Sequence, residues 1–208
     1  TGALFRSAEG AASERIDILG VAVANVSMSE AVDQILGLLG ADRKSPRKAR
    51  FVAFLNAHCA NVATEQPSYR EALDRASVIF ADGIGLRVGA ALLGQRFREN
   101  VNGTDLLPRL CAALDGHRLY LLGAREGVAD EVGRRLSARF PGVVVAGTRS
   151  GYFGPADEAE LVAAIGAARA DLLLVAMGVP AQELFVARHL DELDVNVVMA
   201  VGGLFDFV

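Results

Sequence analysis

The tightest constraint on this chain is a series of short runs that are apolar almost without interruption. They are Phe51-Val-Ala-Phe-Leu55, Ser77-Val-Ile-Phe80, Leu119-Tyr-Leu-Leu-Gly123, Val143-Val-Val-Ala146, residues 172–177 and residues 195–201. A strand that is apolar on both faces has to be covered on both sides, which is the condition of a strand inside a parallel sheet. Helical patterns lie between the runs. Ser27-Met-Ser-Glu30 is a capping box ahead of Val32, Ile35, Leu36 and Leu39. One helix carries Val62, Tyr69 and Leu73, another carries Val128, Val132 and Leu136, and Asp157 with Glu160 forms a capping box for a further one. Ile16-Asp-Ile-Leu-Gly-Val-Ala-Val alternates as a first strand. The expected fold is a single α/β domain, a mainly parallel sheet with helices on both faces, over residues 16–208 after a flexible segment at 1–15.

Composition narrows the partners. With 52% hydrophobic residues, 208 positions suffice for one sizeable core. Lys and Arg number 21 against 25 Asp and Glu, a net charge of −4, so no basic surface points to nucleic acid. The local run Arg43-Lys44-Ser-Pro-Arg47-Lys48-Ala-Arg50 reads as a solvated loop, with contact to lipid headgroups as the alternative. Cys59 and Cys111 sit in apolar helical segments and read as buried free thiols; they and His58, His117 and His189 have no zinc-ligand spacing. No run approaches the roughly 18 apolar residues that span a bilayer, and the start lacks a signal-peptide core. The expectation is a soluble, cytoplasmic protein.

In open parallel sheets ligands bind beyond the carboxyl ends of the strands. Those positions hold Asn56, Asp82-Gly-Ile-Gly85, Gly123, Gly147 with Gly151-Tyr152-Phe153, Gly178-Val-Pro180-Ala-Gln182-Glu183 and Gly202-Gly203-Leu-Phe205-Asp206. Gly178 lets the backbone approach a ligand, Pro180 suits a first helical turn, and the free amides of that turn favour a phosphate, with Gln182 and Glu183 facing it. Plain helix-start chemistry is the other reading. Asp82 follows its strand directly and suits a general base, or caps the next helix over Gly83. In Asn102-Gly-Thr104-Asp105, Thr104 or Asp105 caps a helix or meets substrate hydroxyls. Gly83-Ile-Gly85 does not complete a dinucleotide-binding G-x-G-x-x-G motif, and the chain has no Asp-x-Asp diphosphate clamp.

Taken together, Asp17-Ile-Leu-Gly-Val, Asn56, Ala81-Asp82-Gly-Ile-Gly85, Asn102-Gly-Thr104-Asp105-Leu106, Leu121-Leu-Gly123, Gly151-Tyr152-Phe153, Gly178-x-Pro180-x-Gln182-Glu183 and Val201-Gly-Gly203-x-Phe205-Asp206 resemble the WecG/TagA/CpsF family of bacterial glycosyltransferases. The resemblance implies a Rossmann-like, inverting, metal-independent enzyme without cofactor. It would move a sugar from a UDP-sugar to a lipid-diphosphate-linked saccharide for surface polysaccharide. By that analogy Asp82 is the base, Asn56 lines the sugar or acceptor side, and Tyr152 and Gln182 border the nucleotide. The resemblance further implies substrate contacts from Asn102, Thr104, Asp105, Gly123, Gly178, Pro180, Glu183, Gly203, Phe205 and Asp206.

The chain also departs from the family pattern. Phe54-Leu-Asn56 stands for the usual Thr-x-Asn, and Glu99-Asn100-Val101 for Glu-Arg-Val, with Arg87, Arg98 or Arg125 as candidates to replace the lost cation. The family continues past the position of Val208 into a basic appendage that meets the cytoplasmic face of the membrane. A piece without it is expected to bind donor better than it turns over, and to self-associate into a homo-oligomer. The rival expectation is a non-catalytic nucleotide-sugar-binding module of a membrane assembly.

Overall fold

A computed structural model describes residues 14–40 and 47–208. Its strands are β1 (Arg15–Ile18), β2 (Val21–Ala24), β3 (Arg50–Leu55), β4 (Val78–Ala81), β5 (His117–Gly123), β6 (Val143–Arg149), β7 (Leu172–Ala176) and β8 (Val197–Ala200). Its helices are α1 (Met28–Leu39), α2 (Ala57–Glu65), α3 (Pro67–Asp74), α4 (Ile84–Leu92), α5 (Gly103–Ala113), α6 (Val128–Arg139), α7 (Glu158–Ala167) and α8 (Ala181–His189). The strands form one sheet in the order β1-β2-β4-β3-β8-β7-β5-β6. Only the β1–β2 pair is antiparallel. The segment before residue 14, and Arg43 and Lys44 of the basic run, lie outside the described residues. Among the described residues no helix is long and apolar enough to cross a membrane.

Side-chain parity explains the continuous apolar runs. Phe51, Ala53 and Leu55 of β3, with Leu173 and Val175 of β7, belong to one core shared with α2, α3, α4, α7 and α8. Val52 and Phe54, with Leu172 and Leu174, belong to a second core under α1, α5 and α6. Successive residues of a strand point to opposite faces, so two cores require two apolar residues in a row. The fold is the expected α/β sheet covered on both sides.

Several local expectations need correction. Residues 16–23 are a hairpin rather than one strand: Leu19 and Gly20 both take positive φ, and the Gly20 amide donates to Asp17 Oδ1 at 3.0 Å. The helix of Val62, Tyr69 and Leu73 is two helices, α2 and α3, because Pro67 cannot continue the first and starts the second. The Ser27–Glu30 capping box is present. Asp157, by contrast, does not cap α7; its carboxylate accepts the Gly154 amide at 2.9 Å. Gly147 lies inside β6, where a Cβ would fall 2.5 Å from the Tyr120 ring. Arg47 is not a solvated loop residue. Its guanidinium is buried against Asp194 at 3.0 Å and Asp171 at 3.5 Å, pinning the entry to β3 beside β7 and β8.

Where β5 and β7 end, Gly123 at φ 144° lies against the Ala176 carbonyl, which also accepts the Ala124 amide at 2.8 Å. A Cβ on Gly123 would stand 2.2 Å from that carbonyl oxygen, and the contact is with backbone that cannot swing away. We therefore expect Gly123→Ala to lower the free energy of unfolding in urea by at least about 3 kcal/mol. A loss below 1 kcal/mol would show that the two strand ends do not depend on this approach.

The core also encloses a carboxyl group. Glu183 on α8 is 1% exposed, and burial pushes its pKa from 4.5 up to about 7, opposed by hydrogen bonds from Gln182 and its own backbone. Among the described residues its Oε2 has no hydrogen-bond partner. The folded protein holds this proton up to about pH 7, whereas the unfolded chain releases it near 4.5. The native state therefore binds more protons across that window and loses stability as pH rises through it. Urea unfolding at pH 5 and pH 8 should show Glu183→Gln gaining about 2 to 3 kcal/mol on the wild type between the two pH values. Parallel pH profiles would mean that Glu183 is not held protonated.

Candidate active site

The carboxyl ends of β4, β3, β8, β7, β5 and β6 follow one another along one edge of the sheet, and they carry Asp82, Asn56, Gly202, Gly178, Ala124 and Gly151. Residues far apart in sequence become neighbours there because every one of these strands runs in the same direction. The edge holds two hollows that share Gly202.

The smaller hollow is a crevice of about 50 Å³ over β4, β3 and β8, lined by Phe54, Asn56, Asp82, Gly103 and Gln182. Asn56 caps α2, with its Oδ1 accepting the Cys59 amide at 2.9 Å. It is also a hydrogen-bonding neighbour of Asp82. Burial raises the Asp82 pKa above its ordinary value, and the bond from Asn56 draws it part of the way back. Asp82 does not cap α4: the cap position is Gly83, without a side-chain bond. The Gly83 amide donates instead to Asn100 Oδ1 at 2.5 Å. Asn100, the residue standing for the usual arginine, thus fixes the turn that presents the Asp82 carboxylate. Phe54 packs on Phe80 with ring centroids 5.9 Å apart and forms an apolar wall.

The larger hollow, about 400 Å³ over β8, β7, β5 and β6, is lined by Arg125, Tyr152, Gly178, Gly203, Phe205 and Asp206 among others. Tyr152 is 77% exposed, so its ring is available to a ligand. Of the three arginines named from sequence, Arg125 is the one at this edge. Arg87 lines a groove on α4, and Arg98 pairs with Glu30 at 2.8 Å.

The remaining expectations divide. Pro180 follows a cis bond and precedes α8 as its cap residue rather than opening the helix. Gln182 and Glu183 do not face out together. Gln182 is 2% exposed and lines the Asp82 crevice; its Oε1 accepts the Gly202 amide at 2.9 Å, and its Nε2 donates to Glu183 Oε1 at 2.8 Å. Glu183 therefore lies beneath the edge and steadies Gln182. The Gln182 amide is itself spent on the Gly178 carbonyl at 3.0 Å, so this helix start offers an anion fewer amides than its sequence suggests. The cap of α5 is Asn102, not Thr104 or Asp105: Asn102 Oδ1 accepts the Asp105 amide at 2.8 Å and the Thr104 hydroxyl at 2.6 Å. Asn102 Nδ2 also donates to Asp105 Oδ2 at 2.8 Å, and Thr104 lines a separate cavity with Leu107 and Arg139. Gly103, between them, is the member of that motif at the crevice. Sequence reasoning missed Ala124 and Met177 as cavity residues, although each is one position from a residue it named.

The arrangement joins a desolvated carboxylate to a roomier pocket that has a guanidinium, an exposed aromatic ring and glycine-rich backbone. That combination suits proton abstraction beside an anionic leaving group. Among the described residues no three His, Cys, Asp or Glu side chains come together as a ligand set.

The chain is similar in sequence to known proteins. An N-acetylglucosaminyldiphosphoundecaprenol N-acetyl-beta-D-mannosaminyltransferase of Bacillus spizizenii is 31% identical over 161 residues, which are 76% of this chain and 62% of that protein. The protein of the same name from Staphylococcus aureus is 29% identical over 191 residues, 91% of this chain and 73% of the relative. The chain thus spans less than two thirds of the length of the first of these relatives. The family model of the glycosyl transferase WecG/TagA/CpsF family matches residues 16–208, nearly the whole sequence, and the chain belongs to that family.

Proposed function

We propose that this domain is the catalytic core of an inverting glycosyltransferase that moves a sugar from a UDP-sugar to a sugar carried on a polyprenyl diphosphate, without a metal or cofactor. The observation that carries the reading is Asp82: a carboxylate free of capping duty, partly desolvated, in a crevice that shares Gly202 with the larger cavity. The relatives' names supply the acceptor class, a sugar on a diphospholipid, and a hexosaminyl transfer. Asp82 takes the proton of the acceptor hydroxyl as that oxygen attacks the anomeric carbon, and the bond to the UDP oxygen breaks on the opposite side. The nucleotide diphosphate occupies the larger cavity, with Tyr152 against the base or ribose. Arg125 and the backbone at Gly178 and Gly203 offset the charge that develops on the leaving group. Asn56 orients Asp82, and Gln182 holds the Gly202 turn between donor and acceptor sides.

A partly desolvated base sets the pH dependence. Its ionised form is the active one, so kcat/KM falls as pH drops through the Asp82 pKa, which lies above the ordinary carboxylate value. Asn56→Ala removes a bond that lowers that pKa, and the acidic limb of the kcat/KM profile should move to higher pH. Asp82→Asn should reduce kcat by about 10²- to 10⁴-fold while UDP affinity, read by calorimetry, stays within error. Turnover undiminished in Asp82→Asn would remove Asp82 as the base. UDP binding with no transfer by the wild type, over a broad panel of donors and acceptors, would favour a non-catalytic nucleotide-sugar-binding module.

A further inference from the structure

Helix α4 starts two residues after Asp82 and is apolar on two sides. Leu86 and Ala90 are buried in the core, 3% and 0% exposed. Ile84, Val88 and Leu92 recur every fourth residue and form a stripe on the outside, 71%, 54% and 84% exposed, with Leu93 continuing it at 59%. An outer helix face normally carries polar side chains, so a second apolar stripe there calls for a cover of its own. The other large apolar side chains exposed among the described residues, Leu19, Val144, Tyr152 and Phe207, belong to different elements. Beside the stripe runs a groove of about 510 Å³ bordered by Arg87, Gln95 and Arg96.

Charge identifies what fits this face. The whole chain carries −4, yet residues 83–98 contain Arg87, Arg96 and Arg98 and no acidic residue. Arg98 is engaged with Glu30, which leaves Arg87 and Arg96 to edge the stripe. A two-fold contact through this face would set Arg87 and Arg96 against the same segment of the other copy, which offers them no acidic residue between 83 and 98. An anionic bilayer complements both features, taking the apolar stripe at the acyl boundary and the arginines among headgroups. The face is also coupled rigidly to the crevice. Asn100 Oδ1 holds the Gly83 amide, and the Val101 amide donates to the Ala81 carbonyl at 2.8 Å.

We propose that α4 and the turn after it form a membrane-docking face, with Ile84, Val88, Leu92 and Leu93 seated in the surface of an anionic bilayer and Arg87 and Arg96 at its headgroups. Docked this way, the Asp82 crevice opens at the lipid surface, where the sugar of a lipid-diphosphate acceptor is presented. The transferase reading is needed only for that purpose; the contact itself is scored without turnover, so failure of one is distinguishable from failure of the other.

The test is flotation of the 208-residue chain with vesicles of phosphatidylcholine plus phosphatidylglycerol, and of phosphatidylcholine alone. The wild type should float with the anionic vesicles and detach as salt is raised. Val88→Glu combined with Leu92→Glu should lower the partition coefficient about tenfold or more, and Arg96→Ala about fivefold. All these positions are exposed, so thermal unfolding and UDP binding should be preserved, and Leu19→Glu on the β1–β2 hairpin should float as the wild type does. No flotation of the wild type, or flotation indifferent to the paired glutamates, would overturn the proposal. So would a wild type that stays off vesicles while the paired glutamates reduce its mass in sedimentation equilibrium, which would assign the stripe to contact between copies.

Discussion

Burial of both faces of the central strands is the constraint on which the rest depends. β3, β7 and β8 have no side free for water, so their backbone groups pair with neighbouring strands and their side chains divide between two cores. Chemistry is excluded from the body of such a sheet and confined to its edge, where strands end and backbone polarity becomes available again. Because β2 to β8 all run parallel, their carboxyl ends form a single line. Each loop along that line is anchored by a strand that cannot shift without opening a core.

The same burial gives the edge its electrostatics. Asp82 and Glu183 are both raised by desolvation, but they are treated differently. Asp82 opens to a crevice and has Asn56 to support its ionised form. Glu183 is sealed below and hydrogen-bonded to the edge through Gln182, which holds the Gly202 amide. One carboxyl can exchange its proton with a ligand, whereas the other steadies a turn. On the opposite edge, Arg47 shows what a buried charge requires when it has no such opening: two aspartates close by.

The legible part of the fold was what hydrophobic periodicity encodes. Residues 51–55 and 172–177 declared two-sided burial, and Ser27 with Glu30 declared a helix start that is present. Punctuation was less legible. Pro67 divides one helical pattern into two because its missing N–H and fixed φ act at a single residue, while periodicity averages over several turns. Leu19-Gly20 closes a hairpin without the Asn-Gly signature that such a turn usually shows. At the site, motif membership located the edge but not the direction of each side chain. Asn102, Thr104 and Asp105 are consecutive or nearly so, yet they satisfy one another at a helix cap while Gly103 meets the crevice. Whether Gln182 and Glu183 face a ligand or the core depends on how α8 is rotated against α3 and β8, and that rotation is set by contacts distant in sequence.

Position along the edge also orders the two hollows functionally. Strands lie about 4.8 Å apart, so Asp82 at the end of β4 and Ala124 at the end of β5 are separated by four spacings, roughly 19 Å along the line. The larger hollow lies on the β5 and β7 side with Arg125, and the exposed face of α4 lies beyond Asp82 on the other. In the proposed reaction, the charged leaving group would lie toward the half of the edge that holds Arg125, and the acceptor with its lipid tail toward the half next to α4. The asymmetry of the edge matches the asymmetry of the two substrates in the proposed reaction, with the proton acceptor placed between them.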